Sequence, residues 1–439
     1  MLIPNKIPDT EPEIRVGIIL PEDRYDNITL ILPQEFPCRL IDARNQHASI
    51  SGITLSFVIS GATISLNKFE QSAFWRIVPE AVPPLSSRMG IIIKNAVTGR
   101  GFHWQKQIDL YLPGRLELRI LNGYLLVVNT LSLEQYIACV ATSEMNARCP
   151  EAFLQAQTIA ARSWLLANIE QKHENLGIDI CNDDCCQRYQ GSGNLNSQAI
   201  EASRETEGTV LMHQGMICDC RYSKSCGGIT ESFSNIWEGD GNSYLQSIID
   251  TSEQNRTSIT PLDSEEKVKQ WIDGCPSCYC GPEYLRQDEL IDYLGSVDEN
   301  TRYYRWQFRQ SHSEMVQSLN RNLNLGIKKI DTFKSLRRGH SGRIIELQVS
   351  YIDEAGSPWQ YTIAGEYNIR KTLHSSFLYS SCIYIEKEAL TDSFCIKGAG
   401  WGHGVGLCQI GALGMALKGI SAADILRHYY PDTKLISIY

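Results

Sequence analysis

The first hundred residues alternate between short apolar runs and breakers. Residues 14–20, 28–32, 50–59 and 89–93 are rich in Val, Ile and Leu, and Pro, Gly, Asn and Asp interrupt them. The pattern predicts strands and shows no helical period. From Tyr111 the texture changes. Residues 116–121 and 124–129 flank Asn122-Gly123, a strong hairpin signal. Ser132 then opens a Ser-Leu-Glu-Gln capping pattern, and the helix behind it carries Tyr136, Ile137 and Val140 on its apolar stripe. The next position on that stripe is Glu144. An acid that continues an apolar face is a misfit, and misfits in otherwise consistent segments mark function. Pro150 opens a second helix, expected to run to about Asn168, with Phe153, Ala156, Ile159, Ala160 and Trp164 on its buried side and Arg162 beside them.

Residues 210–212 and 217–222 predict a hairpin around Gln214-Gly215. The stretch from about 251 to 342 is more polar and helical in tone and reads as an insertion. Strands resume at 344–351 and 382–386. A glycine-rich loop follows, then a last helix capped by Ser421 with Asp424 three residues on. These elements predict an α+β protein with a mixed, β-rich core whose helices carry Glu144. Four parts are expected: an N-terminal β domain over 1–110, the core's first part over 111–254, the insertion over 255–342, and the core's second part over 343–439.

Composition narrows the function. A chain of 439 residues is too long for one ordinary core, and 43% apolar with 21% charged residues excludes a disordered or fibrous chain. Fifty acidic against 41 basic residues give a net charge of −9 without a basic tract, which argues against nucleic acid as a partner. No apolar run approaches the roughly 18 residues of a membrane span. The start, MLIPNKIPDTEPEIRV, has neither a basic nor an apolar segment of the signal-peptide kind, so none is expected.

The 15 cysteines are odd in number, which excludes a fully paired intramolecular framework. They cluster as Cys181, Cys185 and Cys186, as Cys218, Cys220 and Cys226, and as Cys275, Cys278 and Cys280. Such tight spacing lets thiolates share a soft metal ion and strains a disulfide. Cys38, Cys139, Cys382 and Cys395 read as small buried hydrophobes. With His173 upstream, Cys181, Cys185 and Cys186 form a candidate structural zinc site, weighed against a set of free thiols.

Two further segments bear on chemistry. Glu144 on an apolar face loses solvation, which favours its protonated form and suits a general acid for glycosidic cleavage. The bland alternative is an ion pair between Glu144 and Arg162. Residues 398–411 hold six glycines around Trp401 and His403, a density that lets backbone approach a ligand closely. There Trp401 can stack on a sugar, and His403 and Gln409 offer directional hydrogen bonds; a tight structural turn is the alternative.

The segment YLPGRLELRILNGYLLVVNTLSLEQYIACVATSEMNARCPEAFLQAQTIAARSW resembles the core of the stage II sporulation protein D and amidase-enhancer family. SKSCGGITESFSNIWEGDGNSYL and GAGWGHGVGLCQIGALGMALKGISAADILRHYYP are similar to it too. The resemblance covers roughly residues 111–250 and 344–439. It implies a peptidoglycan lytic transglycosylase of the cell envelope or periplasm, acting on glycan strands whose stem peptides have been removed. Glu144 falls on the family's catalytic acid and Arg162 on an arginine important for activity, while Gln155 stands where the family has a lysine. Tyr222 and Tyr244 fall on aromatic positions of the family, read as substrate-binding. The family's zinc-binding His-Cys-Gln segment becomes Cys185-Cys186-Gln187, and no cofactor is implied for catalysis itself. The enhancer branch implies the alternative, a non-catalytic wall-binding protein that stimulates an amidase. A zinc hydrolase fits less well, because thiolate-rich sites usually leave no open position for water.

Overall fold

The computed structural model describes residues 1–67, 71–81, 83–102, 104–146, 148–167, 170–239, 241–252, 261–295, 302–388 and 390–439. The chain is α+β and β-rich, and it divides into two compact units. The first comprises Met1–Asp219, Asp292–Val297 and Lys434–Tyr439, and the second Cys220–Ile291 and Asp298–Thr433.

In the first unit a seven-stranded sheet runs in the order Ile180–Cys181, Glu13–Ile19, Tyr124–Ser132, Arg115–Leu121, Phe74–Pro79, Cys38–Asp42, His47–Ile50. A six-stranded sheet holds Lys106–Leu112, Ile91–Thr98, Asn27–Ile31, Thr54–Ser60, Thr63–Leu66 and Gln71–Ser72. Trp75 joins the two sheets: its ring meets Phe57 edge-on at 6.2 Å and its indole N–H donates to the Ile64 carbonyl at 3.0 Å. The boundary expected at 110 therefore falls inside a sheet. Glu13–Ile19 pairs with Tyr124–Ser132 and Phe74–Pro79 with Arg115–Leu121, because a strand's period shows which face is buried but not which strand lies beside it. The run at 50–59 breaks at Gly52, where φ is +60°, and the run expected at 89–93 is the strand Ile91–Thr98.

Three helices pack on one another in this unit: α1 (Leu133–Glu144), α2 (Glu151–Ala167) and α3 (Ser197–Glu205). Ser132 caps α1 as its sequence predicts, accepting the Gln135 N–H at 3.4 Å, and every residue from Tyr136 to Glu144 is buried. The expected end of α2 at Asn168 lies outside the described residues. The hairpin around Gln214-Gly215 forms, and Thr209–His213 also pairs with Lys434–Ser437.

The second unit contains α4 (Glu265–Gly274), α5 (Gln287–Leu290), α6 (His312–Leu323), α7 (Glu366–Leu373), α8 (Gln409–Leu417) and α9 (Ala422–Tyr429). Two antiparallel three-stranded sheets join them, Arg305–Ser311 with Ser393–Ala399 and Ile383–Glu388, and Ile327–Arg338 with Ile344–Asp353 and Pro358–Ala364. Trp306, Met315, Leu319, Ile330, Leu347, Ile369 and Ile396 share one core. The segment read as an insertion supplies strands to both sheets, so its expected end at 342 separates two strands that pair with each other. The polar texture of Ile327–Arg338 reflects a strand in which only Ile327 and Ile330 are buried. No helix among the described residues is long and apolar enough to cross a membrane.

Candidate functional site

Glu144 ends α1, and the apolar stripe that precedes it sinks it to 9% exposed. Its Oε1 accepts the backbone N–H of Arg188 at 3.1 Å. The neighbouring Ser143 hydroxyl accepts the Gln190 N–H at 3.0 Å, so segment 188–190 is tied to the end of α1 at two points. Gly295 approaches from the other side; a Cβ there would lie 2.9 Å from the Ser143 carbonyl and 3.1 Å from that of Glu144. The carboxyl group is thus held by the Arg188 N–H, while Gly295 packs against the backbone of the residue that carries it.

Arg162 belongs to the opposite end of α1. It is fully buried, its Nε donates to Glu134 at 2.9 Å, its Nη2 also reaches that carboxylate, and its Nη1 donates to the Thr209 carbonyl at 2.9 Å. Ten residues of helix, about 15 Å at 1.5 Å per residue, separate Glu134 from Glu144. Arg162 therefore neither pairs with Glu144 nor lies near it. The ion pair between Glu144 and Arg162 weighed from the sequence is therefore not formed; Arg162 pairs with Glu134 instead. Glu134, which sequence reasoning missed, is the hub. It also accepts the Gly208 N–H at 3.2 Å and the Tyr439 hydroxyl at 2.6 Å, and its oxygen lies 3.4 Å from the Ser203 hydroxyl of α3. Its partners are distant in sequence, and no local pattern announces them. Gln155, in place of the family's lysine, donates to Glu205 of α3 at 2.8 Å.

His173, Cys181, Cys185 and Cys186 come together as the sequence predicts, with their donor atoms all within 4.8 Å of one another. The Cys181 and Cys185 sulfurs are 3.0 Å apart, and the His173 Nε2 lies 3.7 Å from Cys185. The hydrogen bond from Cys181 draws the Cys185 thiol far below its usual range and raises Cys181 correspondingly, so the cluster already favours a thiolate. Tetrahedral zinc with bonds of about 2.3 Å to sulfur needs sulfurs about 3.8 Å apart, which small side-chain rotations supply. The donor set fits one soft metal ion. The next residues lead straight to the acid. Gln187 accepts from Tyr136 of α1 at 3.0 Å and donates to the Ala161 carbonyl of α2 at 3.0 Å, and Arg188 holds Glu144. The cysteine cluster and the acid are two ends of one short strip.

The remaining candidates lie in the second unit. The glycine-rich loop packs closely against other parts of its own unit, both backbone and side chain. A Cβ at Gly406 (φ +71°) would lie 2.0 Å from the Arg221 carbonyl oxygen, and one at Gly404 (φ +79°) 2.4 Å from the Arg343 guanidinium carbon. Gly404→Ala should accordingly lower stability by about 1–3 kcal/mol in denaturant unfolding; an unchanged midpoint would refute this account of the loop. His403 accepts the Val405 N–H at Nδ1, 3.0 Å away, and its ring also hydrogen-bonds the Tyr222 backbone. Burial, aided by Arg221, Arg343 and Arg370, holds it well below the usual histidine range and hence neutral. The ring remains partly exposed beside Trp401. Gln409 (1% exposed) and Tyr244 (5% exposed) are buried. Trp401 and Tyr222 stay partly exposed. The Trp401 ring leans on Tyr303 at 4.6 Å and Tyr379 at 5.5 Å, a rigid aromatic surface of the kind sugars stack on.

Comparison with known proteins falls along the same lines. A family model described as stage II sporulation protein (SpoIID) matches residues 122–213, a span that includes Glu134, Glu144, Arg162 and the His173 cluster. A second, described as a domain of unknown function (DUF8618), matches residues 231–406. An uncharacterised protein of Brachyspira hyodysenteriae is 23% identical over 378 residues, 84% of this chain and 86% of that protein. The amidase enhancer of Bacillus subtilis is 24% identical over 313 residues, 68% of this chain but only 40% of its own length.

Proposed function

From a chain that belongs, through residues 122–213, to the stage II sporulation protein D and amidase-enhancer family, we propose a peptidoglycan lytic transglycosylase acting at the cell wall. The observation that carries the reading is Glu144: an acid sunk at the end of an apolar helix, with one oxygen held by the Arg188 N–H. In this mechanism the Glu144 carboxyl donates its proton to the oxygen bridging N-acetylmuramic acid and N-acetylglucosamine, and the C1–O bond breaks. The carboxylate then takes the proton of the muramic acid's own C6 hydroxyl, whose oxygen closes on C1. No water is consumed and the carboxyl is regenerated, so one acid serves both steps and no second carboxylate is needed. Peptide-free strands are the proposed substrate. Trp401 and Tyr222 are proposed glycan contacts of the second unit.

Zinc held by His173, Cys181, Cys185 and Cys186 is proposed as a structural ion. When bound it would fix the strip that ends at Arg188, with no part in the bond cleavage. Cys181→Ser and Cys186→Ser should each lose one zinc per chain by elemental analysis; undiminished zinc would remove these residues as ligands.

The relative named amidase enhancer supports a second reading, a protein that binds wall glycan and stimulates an amidase without cutting. Digestion of purified strands with and without stem peptides, read by mass spectrometry, separates the two. Anhydro-muramyl ends support the transglycosylase. Hydrated reducing ends would replace ring closure with hydrolysis, and intact strands with retained binding would favour the enhancer.

A further inference from the structure

The second unit contains another group of metal-ligating side chains, assembled from four distant segments. Cys226, Asp250, Cys280 and Cys408 place their donor atoms within 4.8 Å of one another, and all four are buried. Cys226 follows the strand Tyr222–Ser223, Asp250 precedes the stretch read as an insertion, Cys280 lies within it, and Cys408 ends the glycine-rich loop and caps α8. Three thiols and a carboxylate, none more than 4% exposed, carry a large desolvation cost unless something compensates it.

The geometry points to a second, closed metal centre: we propose that Cys226, Cys280, Cys408 and Asp250 bind one zinc-like divalent ion. Three features support this assignment. First, the spacing suits a single ion. The Cys226 and Cys280 sulfurs are 3.7 Å apart, against the edge of about 3.8 Å that a tetrahedron with 2.3 Å bonds to sulfur requires. Cys226 Sγ and Asp250 Oδ2 are 3.1 Å apart, and a small rotation opens that pair to a ligand edge. An iron–sulfur cluster would insert several atoms between its thiolates and force them wider.

Second, the surrounding groups are placed as outer partners of ligands. Asp250 Oδ1 accepts the Tyr429 hydroxyl at 2.7 Å and lies 3.2 Å from His428 Nε2, which leaves Oδ2 facing the thiols. Cys408 Sγ accepts the N–H groups of Cys226 at 3.1 Å and Gly411 at 3.3 Å, and Cys226 Sγ accepts that of Gly228 at 3.3 Å. Amide N–H groups aimed at sulfur stabilise thiolates, and a ligating carboxylate is typically hydrogen-bonded by outer partners through its far oxygen, as Tyr429 and His428 do here. Third, the site admits no bulk. A Cβ at Gly411 would lie 2.5 Å from Asp250 Oδ2 and 2.3 Å from the Tyr429 hydroxyl. Four protein ligands in a buried pocket leave no open position, so the ion is structural. It ties the glycine-rich loop to three other segments of the same unit.

The sequence grouped these residues otherwise. Of the cluster at 275–280 only Cys280 takes part: Cys275 is exposed, and Cys278 Sγ faces the Gly228 carbonyl at 3.7 Å.

Native mass spectrometry of the full chain carrying Cys181→Ser, Cys185→Ser and Cys186→Ser isolates this site from the first cluster. One zinc should remain on the folded triple variant; none would overturn the proposal. In the otherwise unaltered chain, Cys280→Ser should bind one zinc fewer than wild type, and an equal count would overturn it. Cobalt in the triple variant should show thiolate-to-metal charge transfer and the intense visible bands of a tetrahedral ion. A Cys226–Cys280 disulfide in a non-reduced peptide map would show instead that the thiols serve as a redox pair.

Discussion

Glu144→Gln should leave a folded protein whose production of anhydro-muramyl ends falls by about 10²–10⁴-fold, the range ordinarily lost with a general acid–base group. The substitution is nearly isosteric. The amide oxygen can still accept the Arg188 N–H that holds Oε1 at 3.1 Å, so the end of α1 keeps its anchor. What disappears is the transferable proton, which both proposed steps require. The expected signature is therefore a loss of rate with binding of glycan strands retained and a thermal midpoint close to wild type. Mass spectrometry of strand digests measures the first and a binding isotherm the second. Cleavage at the wild-type rate would remove Glu144 from the chemistry. A large fall in the midpoint would mean that the carboxyl is needed for packing and would leave the acid to be sought elsewhere.

The second large effect is expected at the far end of the same helix. Arg162→Met keeps an apolar stem of similar length but strands Glu134, whose side chain is 15% exposed against 0% for Arg162. Breaking one side of a buried pair costs about 3–5 kcal/mol, and denaturant unfolding should show a loss of that order. Glu134→Gln should lose a comparable amount, and the double variant less than the sum, because the two residues share one interaction. Arg162→Lys should recover only part of the loss, since a point charge cannot reproduce the guanidinium's two contacts with Glu134 and its third with the Thr209 carbonyl. A loss below about 1 kcal/mol for Arg162→Met would contradict the hub described for Glu134. Activity should fall in these variants through the placement of α1, because Arg162 itself has no exposed surface to offer a substrate.

These two residues divide what is local from what is tertiary. The sequence marked Glu144 by a local conflict, an acid on the stripe of Tyr136, Ile137 and Val140, and the cap at Ser132 fixed that helix's phase. The strands at the Asn122-Gly123 turn and the grouping of His173 with Cys181, Cys185 and Cys186 were legible for the same reason: turn residues and short ligand spacings act over a few positions. The α+β class followed from the sum of such signals. What a residue packs against is not local. Arg162 reads the same whether it faces Glu144 or Glu134, and only the packing of α2 on α1 decides for Glu134. The strands before residue 110 carry no mark of their partners, so a sheet shared with 115–132 could not be told from a separate domain. The glycine-rich loop illustrates both sides. Its composition announced close approach by backbone, but that the Arg221 carbonyl and the Arg343 guanidinium lie against it is decided by the fold. Cys226, Asp250, Cys280 and Cys408 are separated by 182 positions from first to last. Three-dimensional folding alone makes them neighbours, because side chains converge by packing and hydrogen bonding that sequence spacing does not record.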